Sequence, residues 1–265
     1  MSMHLAAGQT DISKLHHRTC TDNQANVDAV QLFANYFQSF VANTPTERQL
    51  TYRLRHKVYC EELRFEPLRD TGMEQDVFDS RAIHAGIRHT ITGKLVGTVR
   101  IITSDNQDQL LPVEQFFTNT IAERSLLPAN FSRDSICEIS RLAVPDGVRC
   151  NVNQDQRFFF ADDEQCCKLV SVALYLLTSH LCMQQKRHHC YVMVEPRLAR
   201  SLRRIGIHFI QIGDVVDYNG LRAPHYLDTR TLHLTLKPQY QQLKDALVQQ
   251  MAEMEQVQQL HQRTA

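Results

Sequence analysis

Ile136-Cys137-Glu138-Ile139-Ser140-Arg141-Leu142-Ala143-Val144 reads as a β-strand that carries a carboxylate and a guanidinium inside an apolar run. Pro145-Asp146-Gly147 ends it. Charges in such a run are costly to bury unless they are paired or used. A second strand, Leu95–Thr103, ends its apolar stretch Leu95-Val96-Gly97-Thr98-Val99 on Arg100. It follows the turn Thr92-Gly93 and a weakly alternating run, Ala82–Thr92, which predicts a hairpin. Upstream lie a helix-like segment, Arg53-Leu54-Arg55-His56-Lys57-Val58-Tyr59-Cys60-Glu61-Glu62, and an acidic turn, Glu74-Gln75-Asp76-Val77-Phe78-Asp79. The charged clusters stand at spacings that one site could use.

Around this region the periodicity predicts further elements. Val27, Val30, Phe33, Phe37 and Val41 recur every three to four residues, as in an amphipathic helix over 27–41. Thr46 is the expected cap of the next helix, where Leu50, Leu54 and Val58 share a face. Residues 63–80 read as a loop, and 104–134 as a long excursion with a short helix near Pro112–Phe117. Asp162–Leu181 carries Cys167, Val170, Leu174, Leu177 and Leu181 on one helical face. Tyr191–Val194 is a short buried strand, and Arg197–Ile205 a basic amphipathic helix closed by Gly206. Phe209–Ile212 with Val215–Tyr218 suggests a strand pair, and Leu232–Leu236 a last strand. From Gln239 to Gln262 the chain is a Gln-rich amphipathic helix that could pack on the domain, form a homodimer or touch a membrane. The element order predicts an α/β or α+β sandwich on one central sheet.

The 265 residues suit one large domain or two small ones, and a 43% hydrophobic content supplies a sizeable core. Lys+Arg and Asp+Glu both total 29, which disfavours nucleic-acid binding driven by bulk charge. Eight scattered cysteines without C-x-x-C spacing or a signal peptide read as reduced thiols in a cytoplasmic protein. No apolar run is long enough to make a transmembrane segment. Cys166-Cys167, Cys182 and His188-His189-Cys190 do not match a zinc knuckle or ribbon, so no metal is expected and small core residues are the favoured reading.

Arg55 with Val58-Tyr59, then Glu74, Asp76 and Asp79, then Arg100, then Glu138-Ser140-Arg141 occur in an order and spacing that resembles the N-acyl-homoserine-lactone (autoinducer) synthases. They look closer still to the N-acyl amino acid synthases and the acyltransferases of PEP-CTERM/exosortase systems. Glu195-Pro196-Arg197-Leu198-Ala199-Arg200, Arg203-Arg204-Ile205-Gly206 and Asp217-Tyr218-Asn219-Gly220-Leu221-Arg222-Ala223-Pro224 resemble that last branch most. The matching stretch covers about 53–228. The resemblance implies an α/β fold, GNAT-like, with a central mixed β-sheet, splayed strands and helices on both faces. Residues 1–25 would be a mobile N-terminal arm, 26–237 the acyltransferase domain and 238–265 a C-terminal amphipathic helix.

The implied activity is N-acyl transfer from an acyl-phosphopantetheine thioester to the amine of an amino acid or similar small molecule, with no tightly bound cofactor. Lactone synthases typically carry a Trp after the first helix and a Ser-Arg-Phe strand motif; this chain has no Trp and reads Ser140-Arg141-Leu142. After Val144 only Pro145-Asp146-Gly147-Val148-Arg149 stands where GNAT acetyltransferases have a glycine-rich pyrophosphate loop. These departures favour an amino-acid-type acceptor and an acyl carrier protein donor over CoA.

Within that resemblance Glu138 is the candidate base, with an ion pair to Arg100 or Arg141 as the structural alternative. Arg100, Ser140 and Arg141 complete the expected catalytic group. Arg55, Tyr59, Glu74, Asp76 and Asp79 are the expected substrate-binding group, the acids attracting an ammonium. An exposed acidic turn and a core Tyr59 are the alternatives. Arg197, Arg200, Arg203 and Arg204, with Lys186 and Arg187 upstream, form an expected docking face for an acidic carrier protein, unless they are simply solvated. Arg149 would reach the pantetheine phosphate.

Overall fold

The computed structural model describes residues 29–149 and 164–264; the expected arm over 1–25 lies outside them. Residues 29–36 form helix α1, and the chain then leaves the helix for strand β1, Phe37–Val41. The sequence predicts one helix through this stretch, because Phe33 and Phe37 fall at helical spacing. The backbone of Phe37–Val41 instead pairs antiparallel with residues 85–89, and Phe37 and Phe40 are buried from the strand.

Helix α2, Pro45–Arg55, is capped by Thr44 rather than Thr46. The Glu47 amide donates to Thr44 Oγ1 at 3.2 Å while Glu47 Oε2 accepts from the Thr44 amide at 3.0 Å, a capping box. The helix runs on as a π-helical stretch, His56–Glu62. Such widened turns are frequent at functional sites.

Strands β2, Ala82–His89, and β3, Leu95–Thr103, form the expected hairpin. Helix α3, Pro112–Phe117, and strand β4, Ile136–Ala143, also fall where expected. Next come helix α4, Val170–Gln184, strand β5, His189–Val194, and helix α5, Pro196–Arg203. Strands β6, Ile210–Gln211, β7, Val216–Asp217, and β8, Leu221–Asp228, precede the C-terminal helix α6, Pro238–Thr264.

The strands form one sheet in the order β1-β2-β3-β4-β5-β8-β6, with β7 paired to the end of β8. Among the described strands only β4 and β5 run parallel. Strand β8, like β1, is an element that the sequence does not announce. The segments around β6 and β7 do not pair with each other; both pair with β8. Leu232–Thr235 is a helical turn, not a strand; its alternating leucines point one way into the core, at Leu232, and another into solvent, at Leu234.

Two apolar clusters cover opposite faces of the sheet. Cys137 and Ile139 face the larger cluster, with α4 and α6; Ile136 faces the smaller, with Phe117, Tyr191 and Tyr226. Strand alternation puts Glu138 and Ser140 on this second face. Helix α4 lies tight on β3: a Cβ at Gly97 would come within 2.9 Å of Leu174 and Val170. Helix α6 packs on its own domain through Leu243, Leu247 and Met251. Gln250 Nε2 donates to the carbonyls of Ala34 and Phe37 at 3.2 and 3.0 Å. Among the described residues no helix is long and apolar enough to cross a membrane.

Strand β4 is where the sheet opens. Its pairing with β5 runs from Ile136↔His189 to Ile139↔Val192 and stops. On the other edge Thr98↔Ala143 and Arg100↔Ser140 leave an extra residue on β4, a β-bulge, and Arg141 adopts φ 50° there.

Candidate active site

The charged clusters converge on the bulge. Arg55 donates from Nε to Glu74 at 2.5 Å and from both terminal nitrogens to Asp79, at 2.7 and 3.1 Å. Arg100 reaches Asp76 at 2.6 Å, Asp79 at 2.8 Å and Ser140 Oγ at 3.1 Å. Arg141 pairs with Glu66 at 2.9 Å and Glu74 at 3.2 Å. Asp76 caps the turn Val77–Arg81 through the Phe78 amide, and Asp79 Oδ2 returns to the Asp76 amide at 2.8 Å. Short-range capping therefore aims both aspartates at the arginines.

Burial alone would raise the Asp79 pKa, but Arg55 and Arg100 outweigh it and hold the carboxyl well below its usual range. Burial and desolvation drop the neighbouring His84 to about 4, so it is neutral 3.6 Å from Asp79. Glu74 is fully buried and Asp79 nearly so, each saturated by guanidiniums. They do not form the open acidic surface that would take an ammonium. Of the three acids, Asp76 lines the cavity described below.

Glu138 stands apart from this network. Neither Arg100 nor Arg141 forms an ion pair with it among the described residues. Among the described residues it accepts one hydrogen bond, from the Val113 amide, 2.7 Å away in the first turn of α3. Burial pushes its pKa up to about 8, against the lowering effects of that amide and of Arg100. A carboxyl poised near neutrality is what a general base needs.

Two cavities meet at the opening between β4 and β5. One, of about 410 Å³, holds Glu138, Asp76, Arg100 and a wall of Phe78, Phe116, Phe117 and Met193. The other, of about 300 Å³, runs past Leu142, Val144, Ser171, Tyr175 and Leu198 to Arg149. Tyr59, Phe65, Ser140, Arg141, Met193 and Arg222 border both. Tyr59 donates to the Leu142 carbonyl at 2.8 Å, on the β4 backbone that has no β5 partner. Tyr59 is thus a wall of the junction and is not packed away in the core; Arg141 lies over its ring at 5.5 Å.

The basic residues divide. Arg197, Arg200, Arg203 and Arg204 are exposed on or at the end of α5, whose Leu198 borders the second cavity. Arg149 lines that cavity but is paired with Glu62 at 3.0 Å. Lys186 is exposed just beyond the far end of α4, a helix that runs about 20 Å from Ser171 to Gln184 at 1.5 Å per residue. Arg187 turns inward: it donates to the Ser104 carbonyl at 2.5 Å and the Arg133 carbonyl at 3.1 Å, and pairs with Asp105. Lys186 and Arg187 therefore stand outside any face shared with α5 and the second cavity; Arg187 is a clamp on the 104–135 excursion.

Phe116, Phe117, Met193, Tyr218 and Arg222 line the site without having been picked out individually from the sequence. Tyr218 and Arg222 did sit in a quoted motif, whose hairpin role is now visible. The sulfur atoms of Cys137, Cys182 and Cys190 lie within 4.8 Å of one another, all buried. Cys137 brings to this group a strand residue that local spacing could not link to the other two.

Residues 54–154 match the family model described as an acetyltransferase (GNAT) domain. No curated protein sequence matches the chain. Solved structures share its fold at low identity. The CoA-dependent acyl-homoserine lactone synthase BjaI, with SAM and isopentyl-CoA, aligns with a TM-score of 0.55 and 16% identity, over 81% of this chain and 98% of BjaI. TofI, in a complex with an inhibitor and MTA, gives 0.54 and 18% over 77% and 99%. FeeM, an N-acyl amino acid synthase from uncultured soil microbes, gives 0.52 and 14% over 76% and 94%. The chain thus resembles a GNAT acetyltransferase domain over residues 54–154, and its fold is the GNAT-like one seen in the acyl-homoserine lactone synthase BjaI and the N-acyl amino acid synthase FeeM.

Proposed function

We propose that this GNAT-type acyltransferase moves a long-chain acyl group from a pantetheine thioester to the amine of an amino acid or similar small molecule. The observation that carries this is the meeting of two cavities at the β4–β5 opening, with an unpaired, pKa-raised Glu138 in one of them. The narrower cavity takes the pantetheine arm, its thioester at the bulge over Ile139–Arg141. The aromatic-walled cavity takes the acyl tail and the amine.

The amine lone pair attacks the thioester carbonyl carbon. Backbone N–H groups on the unpaired edge of the β4 bulge stabilise the oxyanion. Glu138 accepts the proton from nitrogen, directly or through water. The tetrahedral intermediate collapses to the amide, expelling the pantetheine thiolate, which takes that proton back. Arg55, Arg100 and Arg141 act through the carboxylates they hold, keeping β4, the 74–79 turn and the π-helical stretch in register.

An acyl carrier protein is the favoured donor. Arg197, Arg200, Arg203 and Arg204 are exposed on or at the end of α5, the helix whose Leu198 borders the pantetheine cavity, although Arg200 and Arg203 themselves line a separate cavity; this basic helix suits an acidic partner. CoA is the second reading, since the fold neighbour BjaI is described as CoA-dependent. Parallel reactions with the same acyl chain on carrier protein and on CoA separate them. A higher kcat/KM with the carrier form supports the first reading; the reverse order supports the second.

A further inference from the structure

Three cysteines meet on the face of the sheet turned away from Glu138. Cys137 on β4 is in register with Cys190 on β5, and Cys182 comes from the last turn of α4. Their sulfur atoms lie within 4.8 Å of one another, and those of Cys137 and Cys182 are 3.4 Å apart. Each of the three residues is at most 1% exposed. Small thiols often only fill a core, as Cys166 and Cys167 do in the same apolar cluster. Those two do not join the converging group, which among the described residues consists of Cys137, Cys182 and Cys190.

The spacing suits a single ion. With metal–sulfur bonds of about 2.3 Å, sulfurs at tetrahedral angles stand about 3.8 Å apart. That value falls between the 3.4 Å separating Cys137 from Cys182 and the 4.8 Å that bounds the group. Magnesium and calcium take oxygen ligands, whereas thiolates select soft ions. Burial this complete matches the closed, structural kind of site that zinc fills with four protein ligands.

A fourth ligand stands in the connection from α4 to β5. The Arg187 carbonyl is 3.9 Å from the Cys137 sulfur, so this connection passes beside the cluster. His188 follows it, two residues before Cys190, the spacing that returns a strand to the same face. The two are about 6.6 Å apart along an extended chain, at 3.3 Å per residue. The His188 carbonyl accepts from the Thr229 amide at 3.0 Å, which carries the β8 ladder back to it. Its Nδ1 is buried without a hydrogen-bond partner among the described residues, as is Nε of Arg187. Buried polar atoms are ordinarily paired, and metal ligation is a use for an imidazole nitrogen that is not.

We propose that Cys137, Cys182 and Cys190 bind one zinc ion as thiolates, with His188 turning in as the fourth ligand. Binding releases the thiol protons to solvent and involves no change of oxidation state. The ion ties α4 to β4 and β5 two register pairs before those strands part after Ile139↔Val192, and so braces the closed end of the opening. This site stands independently of the acyl-transfer reading.

The test uses the full chain, expressed with zinc supplied and purified under reducing conditions, with native mass spectrometry and X-ray absorption at the zinc edge as readouts. One zinc per chain is expected, with three sulfurs at about 2.3 Å and one nitrogen at about 2.0 Å. Removing the ion with a strong chelator should lower the melting temperature by roughly 5 °C or more. Cys182→Ala and Cys190→Ala should lose the zinc, and Cys166→Ala should keep it. His188→Ala should bind it roughly 10-fold or more weakly, without the nitrogen neighbour. Wild-type protein that holds no stoichiometric zinc, even after refolding with the ion present, would overturn the proposal with no variant needed. Zinc that survives both Cys182→Ala and Cys190→Ala would overturn it too, and unchanged binding in His188→Ala would overturn the fourth ligand.

Discussion

The Glu138 carboxylate accepts the Val113 amide at 2.7 Å while no arginine among the described residues is paired with it, although Arg100 and Arg141 stand nearby on β3 and β4. One hydrogen bond from a helix's first turn orients the group without fixing its charge. The carboxyl consequently sits near a pKa of about 8. If deprotonated Glu138 is the base, kcat/KM should rise with pH and level off above about 8. Glu138→Gln keeps an acceptor for Val113 and should remove that inflection, lowering kcat by about 10²- to 10⁴-fold. Rate profiles of both proteins from pH 6 to 9 provide the check.

Arg55 is buried against two carboxylates, so its loss leaves both unbalanced in a dry site. Arg55→Met should destabilise the fold by about 3–5 kcal/mol, read from the denaturation midpoint in urea. A shift of under about 1 kcal/mol would mean that water reaches Glu74 and Asp79.

The depressed Asp79 pKa has a defined sign. A carboxyl lower in the folded than in the unfolded state contributes stability above its unfolded value of about 3.9, and that contribution is lost as pH falls through the folded value. Wild-type stability should therefore decline as the solution is acidified below about pH 4. Asp79→Asn should be less stable at pH 7 and show a flatter acid limb in unfolding curves taken across pH 3 to 7.

Met193 borders both cavities from β5. Met193→Trp should plug the junction and cut turnover at least 10-fold, with the melting temperature little changed. Retained turnover would show that acyl and amine do not meet there.

Reversing Arg197 and Arg200 to Glu should raise the KM for a carrier-bound acyl group several-fold, leaving the KM for the same acyl chain on free pantetheine unchanged. Added salt should erase the difference, because exposed charges are screened over about 10 Å at 0.1 M.

Local pattern made much of this fold legible. Strands β2 to β5 announce themselves through Val, Ile and a Gly turn, and the charges at Arg100, Glu138 and Arg141 stood out because apolar runs rarely carry them. The convergence of Arg55, Glu74, Asp79 and Arg100 followed from their order through the resemblance. Strand β1 was hidden because Phe33 and Phe37 fit a helix as well as a helix-to-strand switch. Strand β8 was hidden by Arg222 and by Pro224, which lacks an amide donor; the Pro224 carbonyl still accepts from Ile212 at 2.9 Å and keeps the strand in the sheet. The state of Glu138 was beyond sequence altogether. Whether it paired with arginine depended on α3, an element some 20 residues upstream whose docking only the tertiary structure supplies.

The most direct test mixes purified protein with a long-chain acyl carrier protein and an isotope-labelled amino-acid pool, followed by mass spectrometry. The account predicts amides that join the acyl chain to a labelled amino nitrogen, formed by the wild type and nearly absent with Glu138→Gln. No such amide from carrier- or CoA-bound acyl groups, or equal yields from both proteins, would contradict it.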